Sequence, residues 1–521
     1  GGTSVRLTPI IGFDSFSLLV PIEQLRDHTR AALYFASTYL DLLPVRYDSS
    51  MDAIWKAARV QATQRTRRWV RLWTRVRFPL QLVLVSSLAF AIPFFLYVLI
   101  AAWWRDITPV VYVADVIALL ITAILIWMEG ILALFFLKAP QGPSSPYPPA
   151  SAIIAAYLPN EAATIVETVE AFLRVDYPAP LQIILAYNTP RDLPVEDILR
   201  EMAQRDSRLQ LLRVESSTTK AQNINTALAE VRGEFVAIFD ADHHPDPASF
   251  TRAWHWLSNG YDVVQGHCVV RNGDQSLITR LVAVEFEVLY ALSHPGRARL
   301  HGFAIFGGTN GFWKTNLLRD TRMRSFMMTE DIDSSMRAVI DGYKIAADPL
   351  LISRELGPLT LTALWNQRMR WAQGWFQVSL RHFWDGFRSP HLSRQQKLGL
   401  LHLLVWREVY PWLSIQVFPI LAFWLVRHGG LQGINWLVPF FLLATLFTLT
   451  TGPVQAMMAF FVAIAEIRRR RWWFAFYMVI SFLFYANFKN LVAAVAQIKH
   501  IMRERNWQIT PRTAKKLPEE R

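Results

Sequence analysis

Cysteine is almost absent from this chain of 521 residues, which contains only Cys268. A single thiol forms neither an intramolecular disulfide nor a cysteine-rich metal site, so packing has to stabilise the fold. Charged residues are also scarce, at 18%, whereas 52% of the residues are hydrophobic and 20 are tryptophan. This composition is too apolar for a soluble enzyme of the same length, and it excludes a purely soluble or disordered protein.

Long uncharged runs account for the excess of apolar residues. Residues 78–104 and 110–137 each exceed the roughly 20 residues that cross a bilayer, and we expect a transmembrane hairpin over residues 78–138. Lys and Arg are frequent between residues 56 and 77, whereas the turn of the hairpin carries only Arg105 and Asp106. The positive-inside rule therefore predicts that residues 1–77 and the polar region after the hairpin are cytosolic.

Apolar runs return later and predict a C-terminal transmembrane bundle over residues 399–498. They cover approximately 409–426, 437–467 and 472–498, and Arg468 to Arg471 separate the last two. The middle run is either one tilted helix or two short helices broken at Gly452-Pro453. One helix would leave the basic tail 499–521 outside and the arginines inside. Two helices would place the basic tail inside and the arginines outside, and we favour this second arrangement.

The formal net charge of +13 indicates an acidic partner. The cations flank the apolar runs and do not form one stripe, so they favour lipid headgroups over nucleic acid. We therefore expect a multi-pass protein of the plasma (inner) membrane that contacts the lipid bilayer and binds no nucleic acid.

Residues 147–356, between the two groups of apolar runs, have the pattern of an α/β domain. Short apolar segments at 153–158, 183–187, 209–214 and 235–239 alternate with helix-spaced segments, which predicts a parallel sheet. A helix is predicted after the first strand, with Asn160 as its N-cap. In sheets of this kind ligands bind at the carboxyl ends of the strands.

Two aspartates stand where the fourth of these strands ends, in Asp240-Ala-Asp242-His-His. Two carboxylates so placed suit Mg²⁺ or Mn²⁺ bound to a diphosphate, because these hard cations prefer oxygen ligands. A helix N-cap or an Asx turn would account for the same residues. His243 and His244 could add a ligand, although exposed turn histidines are more common.

Two further polar segments begin predicted helices. Lys220 opens Lys-Ala-Gln-Asn-Ile-Asn, which would place an ammonium group and a helix N-terminus near phosphate, unless the lysine is simply solvated. Glu330 and Asp331 follow Thr329 and precede a second helical pattern. A carboxylate there either acts as a general base or stabilises the first turn.

Residues 357–398 predict amphipathic helices at the membrane interface. Gln367, Arg370, Trp371 and Gly374 share one helical face. A guanidinium fork matches phosphate, and an indole face suits a sugar ring. The alternative is a membrane-surface helix with snorkelling arginines and anchoring tryptophans.

The ordered set Asp240-Ala-Asp242, Thr329-Glu-Asp331 and Gln367-Arg-Met-Arg-Trp371 resembles the signature of the family 2 processive glycosyltransferases, the cellulose, chitin and hyaluronan synthases. The spacing of the three segments resembles that family too, as does the order of membrane pair, polar domain and further spans. The resemblance covers approximately residues 78–512, including the segment Trp507 to Arg512, and residues 1–76 fall outside it.

This resemblance implies an α/β domain of the GT-A fold, inserted between transmembrane helices, that transfers a sugar from a UDP-sugar with inversion and with Mg²⁺ or Mn²⁺. The roles it implies are catalysis by Asp331 and Glu330; metal binding by Asp242 and Asp240; nucleotide binding by Tyr157, Glu161, Asn188, Lys220, Gln367 and Arg370; and acceptor binding by Trp371, Gly307, Gly308 and Thr309.

One segment departs from the pattern of the family. After the second strand these enzymes usually carry an Asp-Asp or Asp-x-Ser pair that contacts uracil, whereas this chain has Tyr187-Asn188-Thr. Asn188 can still hydrogen-bond a base, because its amide both donates and accepts.

Ala241 and His243 resemble the cellulose synthase form of the Asp-x-Asp segment, which favours UDP-glucose as donor and a growing β-glucan as acceptor. A chitin- or hyaluronan-type synthase that uses UDP-N-acetylglucosamine is one alternative. A non-processive transferase that adds one sugar to a lipid is the other, and Asp242 and Asp331 argue against a mere transporter or scaffold. Glu129, inside the second run, would either line a path for the polymer or pair with another helix.

Overall fold

A computed structural model of the chain describes residues 80–430 apart from Leu82, together with Leu446 and residues 449–504. The N-terminal segment 1–77, the first part of the middle apolar run and the tail beyond residue 504 therefore lie outside the described residues. The described residues from Leu84 onwards belong to one compact unit, which contains the numbered strands and helices below.

An eight-stranded sheet forms the centre of the polar domain. Its strands are β1 Ala150–Tyr157, β2 Leu181–Asn188, β3 Leu209–Arg213, β4 Phe235–Asp240, β5 His244–Pro245, β6 Val263–Val270, β7 Gly311–Lys314 and β8 Ile345–Glu355. The order across the sheet is β3-β2-β1-β4-β7-β6-β8-β5. The strands β1 to β4 pair in parallel, as predicted from the alternating pattern. β7 runs antiparallel to both β4 and β6, so the sheet is mixed and not wholly parallel.

Helices cover the two faces of this sheet. In the domain they are α3 Leu158–Glu161, α4 Ile165–Leu173, α5 Val195–Arg205, α6 Lys220–Ala227, α7 Ser249–Ser258, α8 Leu277–Phe286, α9 His294–His301, α10 Thr315–Thr321 and α11 Glu330–Ile340; before it lie α1 Ile92–Trp103 and α2 Thr108–Ala133. Alternate residues of each strand enter different cores, because successive side chains of a strand point to opposite faces. Ile153 and Val236 join one core, and Ile154 and Phe235 join the other.

The strand register brings polar residues to one edge of the sheet. Tyr157 pairs with Asn188 at the ends of β1 and β2, and Ala155 pairs with Asp240 at the end of β4. Glu355 ends β8. This strand runs in the same direction as β4, because β7 is antiparallel to both β4 and β6, and β6 is parallel to β8. The carboxyl ends of four strands thus meet at one edge, where ligands bind in such sheets.

Two details of the sequence prediction are corrected. Asn160 lies inside the short helix α3, and the N-cap of α4 is Thr164, because the chain turns once more before the amphipathic helix begins. His243 is fully buried and not an exposed turn residue, since its Nδ1 lies 3.0 Å from Ser353 Oγ of β8.

The C-terminal part of the chain is helical. Its helices are α12 Leu361–Arg388, α13 Arg394–Leu401, α14 Arg407–Ile415, α15 Val417–Arg427, α16 Thr451–Val462, α17 Ala465–Arg468, α18 Arg471–Ile480 and α19 Ala486–Ile501, with π-helical segments at 402–406 and 481–485. Within the described residues, four helices are long and apolar enough to cross a membrane: Val83–Trp103, Thr108–Ala133, Arg394–Arg427 and Arg471–Ile501.

Two ion pairs show what the ends of these helices contact. Arg427, at the end of the third helix, pairs with Asp106 in the turn of the hairpin at 3.3 Å, and neither residue belongs to the polar domain. Arg470, before the fourth, pairs instead with Asp274 of the domain at 3.0 Å. The arginine group 468–471 therefore lies on the side of the domain, contrary to the arrangement that we favoured from sequence.

The last apolar helix also ends next to the domain. The His500 ring lies 5.4 Å from that of Phe376 in α12. In the same stretch of α12, the amide of Gln377 accepts a hydrogen bond from Met328 N–H at 3.0 Å, so this part of α12 contacts the domain. Both ends of Arg471–Ile501 thus lie next to the polar domain or to α12.

The buried carboxylate of the second apolar helix is paired. Glu129 accepts two hydrogen bonds from Nε of Arg297 in α9, both at 3.1 Å. Of the two roles that the sequence left open, pairing with another element is the one seen.

Candidate active site

A cleft of about 680 Å³ opens at the carboxyl edge of the sheet. Of the residues predicted to act at a site, all except Asp242 line it: Tyr157, Glu161, Asn188, Lys220, Asp240, Gly307, Gly308, Thr309, Glu330, Asp331, Gln367, Arg370 and Trp371. Residues distant in sequence thus meet in one cavity, which is large enough for a nucleotide with an attached sugar.

Asp240 and Lys220 form the charged centre of the cleft. Lys220 Nζ lies 2.6 Å from Asp240 Oδ1 and donates a hydrogen bond to Gly308 O, also at 2.6 Å. Burial alone would lower the pKa of Lys220, but the carboxylates of Asp240 and Glu330 raise it, so the amine stays charged. The lysine is therefore held in the cleft by acidic groups and is not a solvated surface residue.

Asp242 occupies a different position from Asp240. It is fully buried, and its Oδ2 accepts a hydrogen bond from Leu356 N–H at 3.1 Å. This contact fixes the turn after β8 beside the turn after β4. Asp240 thus offers its carboxylate to the cleft, while Asp242 lies behind it.

Glu330 and Asp331 form the first turn of α11 and face the cleft at the same time. Burial raises the pKa of both carboxyl groups, and the charge of Asp331 raises that of Glu330 further, whereas Lys220 lowers both. Two adjacent carboxyl groups whose pKa values are raised by burial suit proton transfer near neutral pH.

The loop 307–309 brings backbone close to Asp331. Gly308 has φ of +97°, and a Cβ added to it would collide with Asp331 Oδ2. Only glycine tolerates both the positive φ and this close approach. The opposite side of the same loop is fixed by Asp240, whose N–H donates to Thr309 Oγ1 at 3.1 Å.

Helix α12 supplies the remaining wall. Thr360 caps it by accepting a hydrogen bond from Ala363 N–H at 3.2 Å, and Gln367, Arg370 and Trp371 face the cleft. Gly374, one turn further on, packs against Thr329, so a side chain at this position would push the helix from α11. The interface helix and the carboxylates of α11 are thereby held at a fixed separation.

Asn188 contributes to the shape of the cleft. Its Nδ2 donates to Ser217 O at 3.0 Å, and its Oδ1 accepts from Asn223 Nδ2 at 2.9 Å. Asn223 also donates to Ala156 O at 3.0 Å. The amide thus ties the loop 215–219 to the ends of β1 and β2.

Sequence reasoning missed several side chains of the cleft, among them Phe286, Tyr290 and Glu355. Glu355 could have been found, since it ends a strand immediately before the turn residues Gly357-Pro358. Phe286 and Tyr290 lie in and just after a long buried helix, and no local pattern distinguishes them from core residues.

The mixed α/β sheet has a charged cleft at its carboxyl edge, with a lysine, paired carboxylates and an Arg/Trp helix. These are the features that the motifs predicted for a glycosyltransferase domain of the GT-A type. Residues 148–374 match the family described as "Glycosyltransferase like family 2". The polar domain therefore contains a glycosyltransferase domain of this family.

Parts of this chain are similar to known proteins. A poly-beta-1,6-N-acetyl-D-glucosamine synthase of Staphylococcus epidermidis is 26% identical over 272 residues, covering 51% of this chain and 63% of that protein. A beta-monoglucosyldiacylglycerol synthase of Synechocystis sp. is 25% identical over 299 residues, covering 56% and 61%. The chain thus spans about three-fifths of the length of these curated relatives.

A solved structure shares the fold. A mannosyltransferase of Pyrobaculum calidifontis, in complex with GDP-Man and Mn²⁺, superposes with a TM-score of 0.52 at 20% identity, over 76% of this chain and 99% of that one. This similarity confirms the GT-A-like α/β fold that the motifs implied.

Proposed function

We propose that the chain is a membrane-embedded inverting glycosyltransferase that builds a β-linked polysaccharide from a UDP-sugar and passes it across the membrane, with its α/β domain in the cytosol. One observation carries the proposal: the candidate base Asp331, the Asp240–Lys220 pair and the Gln367/Arg370/Trp371 face share one cleft beside long apolar helices.

The cleft supplies the parts of an in-line displacement. Asp331 takes the proton of the acceptor hydroxyl as that oxygen attacks the anomeric carbon, and the bond from this carbon to the diphosphate breaks. Lys220, Arg370 and the amide of Gln367 bind the departing diphosphate. Tyr157, Glu161 and Asn188 line the uridine end, while Trp371 and the loop 307–309 hold the terminal acceptor sugar.

One carboxylate of the Asp240/Asp242 pair faces the cleft and could bind a divalent cation there. Asp240 presents oxygen to the cleft and Asp242 lies behind it, and hard oxygen ligands of this kind suit Mg²⁺ or Mn²⁺. Such a cation would neutralise charge on the leaving diphosphate. The name of the Pyrobaculum calidifontis structure supports Mn²⁺ as the first ion to test.

Two donors are to be compared, UDP-glucose and UDP-N-acetylglucosamine. UDP-glucose was favoured because Ala241 and His243 resemble the cellulose synthase form, but both residues are buried and neither lines the cleft. The name of the Staphylococcus epidermidis relative supports N-acetylglucosamine. The purified chain in lipid nanodiscs should therefore receive each labelled donor separately, and linkage-specific glycanases should digest the product.

We expect labelled polymer that stays in the aqueous phase, and the faster donor assigns the sugar. The Synechocystis relative, whose name specifies a glycolipid product, makes single transfer to a lipid the second candidate. Label that partitions wholly into chloroform would support that candidate and contradict polymer synthesis. Absence of nucleotide release with every donor would contradict a glycosyltransferase.

Removing the neighbour of the base should change the pH profile. Burial and the charge of Asp331 raise the pKa of Glu330 to about 7, so Glu330 is protonated and uncharged at the pH at which Asp331 ionises. Glu330→Gln replaces this neutral group by another neutral group, so the acidic limb of kcat/KM against pH, which Asp331 sets, should stay in place. The ionisation of Glu330 near pH 7 should disappear from the profile. An unchanged inflection near pH 7, or an acidic limb that moves, would exclude this coupling between Glu330 and the base.

A further inference from the structure

Arg368 lies within the Gln-Arg-Met-Arg-Trp segment but does not line the cleft. Its exposed fraction is only 8%. A guanidinium group is costly to bury without partners. The partners of Arg368 therefore indicate what it does.

A buried acidic network holds the guanidinium. Arg368 Nη2 donates to Glu285 Oε2, and the same oxygen accepts from the hydroxyl of Tyr485 at 2.7 Å. Lys489 Nζ lies 4.0 Å from Glu285 Oε1. Burial opposes ionisation of Glu285, but Arg368 and Lys489 together lower its pKa and keep it charged.

Three elements meet at this network. Glu285 belongs to α8 of the catalytic domain, Arg368 to α12, and Tyr485 and Lys489 to the last long apolar helix. The network therefore joins the wall of the cleft to the last long apolar helix.

The other face of Arg368 contacts the cleft wall itself. Its guanidinium carbon lies 4.3 Å from the ring centroid of Trp371 and 5.9 Å from that of Phe286. Nη1 also donates to Gln367 Oε1 at 3.3 Å. A planar cation stacked on an indole face fixes the tilt of the ring.

We propose that Arg368 is a positioning residue: held by Glu285 and Tyr485, it sets the orientation of Trp371 for the acceptor sugar and links that platform to the last apolar helix. The inference deepens the proposed function and depends on it. It assigns to Arg368 no contact with substrate.

The test uses a variant that keeps the buried charge. Arg368→Lys leaves a cation for Glu285 but removes the planar stack on Trp371, so the network is not left with an unpaired carboxylate. The full chain in nanodiscs is assayed with UDP-N-acetylglucosamine and UDP-glucose for donor hydrolysis and for transfer to a β-linked pentasaccharide. Binding of UDP and of the pentasaccharide is measured in parallel, because binding needs no turnover.

We expect Arg368→Lys to lower transfer and pentasaccharide affinity about tenfold or more, with donor hydrolysis and UDP affinity changed no more than about threefold. Trp371→Ala should give the same split. The matched control is Arg381→Lys, on the same helix, whose guanidinium lies 5.5 Å from the Phe326 ring and outside the cleft; all four readouts should be unchanged.

A second variant tests the link to the last long apolar helix. Tyr485→Phe removes only a hydroxyl, and it should lower transfer in the same direction but add nothing to Arg368→Lys. Equal loss of hydrolysis and transfer, no loss at all, or full additivity of the two variants would overturn the proposal. If the wild-type chain binds the pentasaccharide but turns over no donor, the proposed reaction is refuted and the positioning role of Arg368 is not. If the wild-type chain binds neither UDP nor the pentasaccharide, both the reaction and the positioning role are refuted.

Discussion

Asp331→Asn is expected to abolish sugar transfer while donor binding survives. Positioned acid–base groups contribute about 10²–10⁴-fold to rates, and an amide cannot accept the proton of the acceptor hydroxyl. Asn and Asp are nearly the same size, and Asp331 packs against Gly308 without space to spare, so the geometry of the cleft should be retained. The loss should therefore appear in kcat, with UDP affinity within about threefold of wild type.

The control comes from the same helix. Asp341 caps the C-terminal end of α11 and is exposed, so Asp341→Asn makes an identical chemical change away from the cleft. It should leave turnover and UDP affinity unchanged. If Asp331→Asn retained more than about a tenth of wild-type turnover, Asp331 would not be the base, since a general base contributes more than this.

How far the sequence predicts this site depends on where each residue lies. Asp240 and Lys220 stand at points where an apolar strand or a loop gives way to polar residues, and β-sheet topology brings such points to one edge. The spacing of Gln367 and Trp371 places them on one helical face without any tertiary information. These residues could therefore be found from local patterns and their order.

Other features depend on packing between distant segments, which local pattern does not encode. Tyr290 looks like any buried helical aromatic until the fold brings it to the cleft. Arg368 cannot be distinguished from Arg370 by type or spacing, yet one packs against Glu285 and the other faces the cleft. The position of Arg470 was wrong in the arrangement that we favoured, because hydropathy counts spans but does not include its ion pair with Asp274.

The second large effect concerns the metal and Asp240. Excess EDTA should reduce transfer at least about a hundredfold, because a bound cation contributes several kcal/mol to stabilising a transition state. Mn²⁺ or Mg²⁺ added afterwards should restore it. Asp240→Asn should cause a similar loss that neither cation restores, since the carboxylate oxygen facing the cleft is gone.

An aspartate–lysine pair outside the cleft provides the matched control. Asp262 lies 2.9 Å from Lys314, much as Asp240 lies 2.6 Å from Lys220, but neither Asp262 nor Lys314 lines the cleft. Asp262→Asn should therefore retain turnover and its response to EDTA. A comparable loss in this variant would show that breaking such a pair disturbs the domain as a whole.

The two treatments together separate metal binding from a direct role of the ion pair. If Asp240 acts by holding a cation, EDTA and Asp240→Asn should each remove activity, and EDTA should remove nothing further from the variant. If Asp240 acts only by fixing Lys220, the variant should fail while the wild-type chain stays fully active in EDTA. That second outcome would contradict a metal-assisted diphosphate and leave Lys220 and Arg370 as the cations that bind the leaving group.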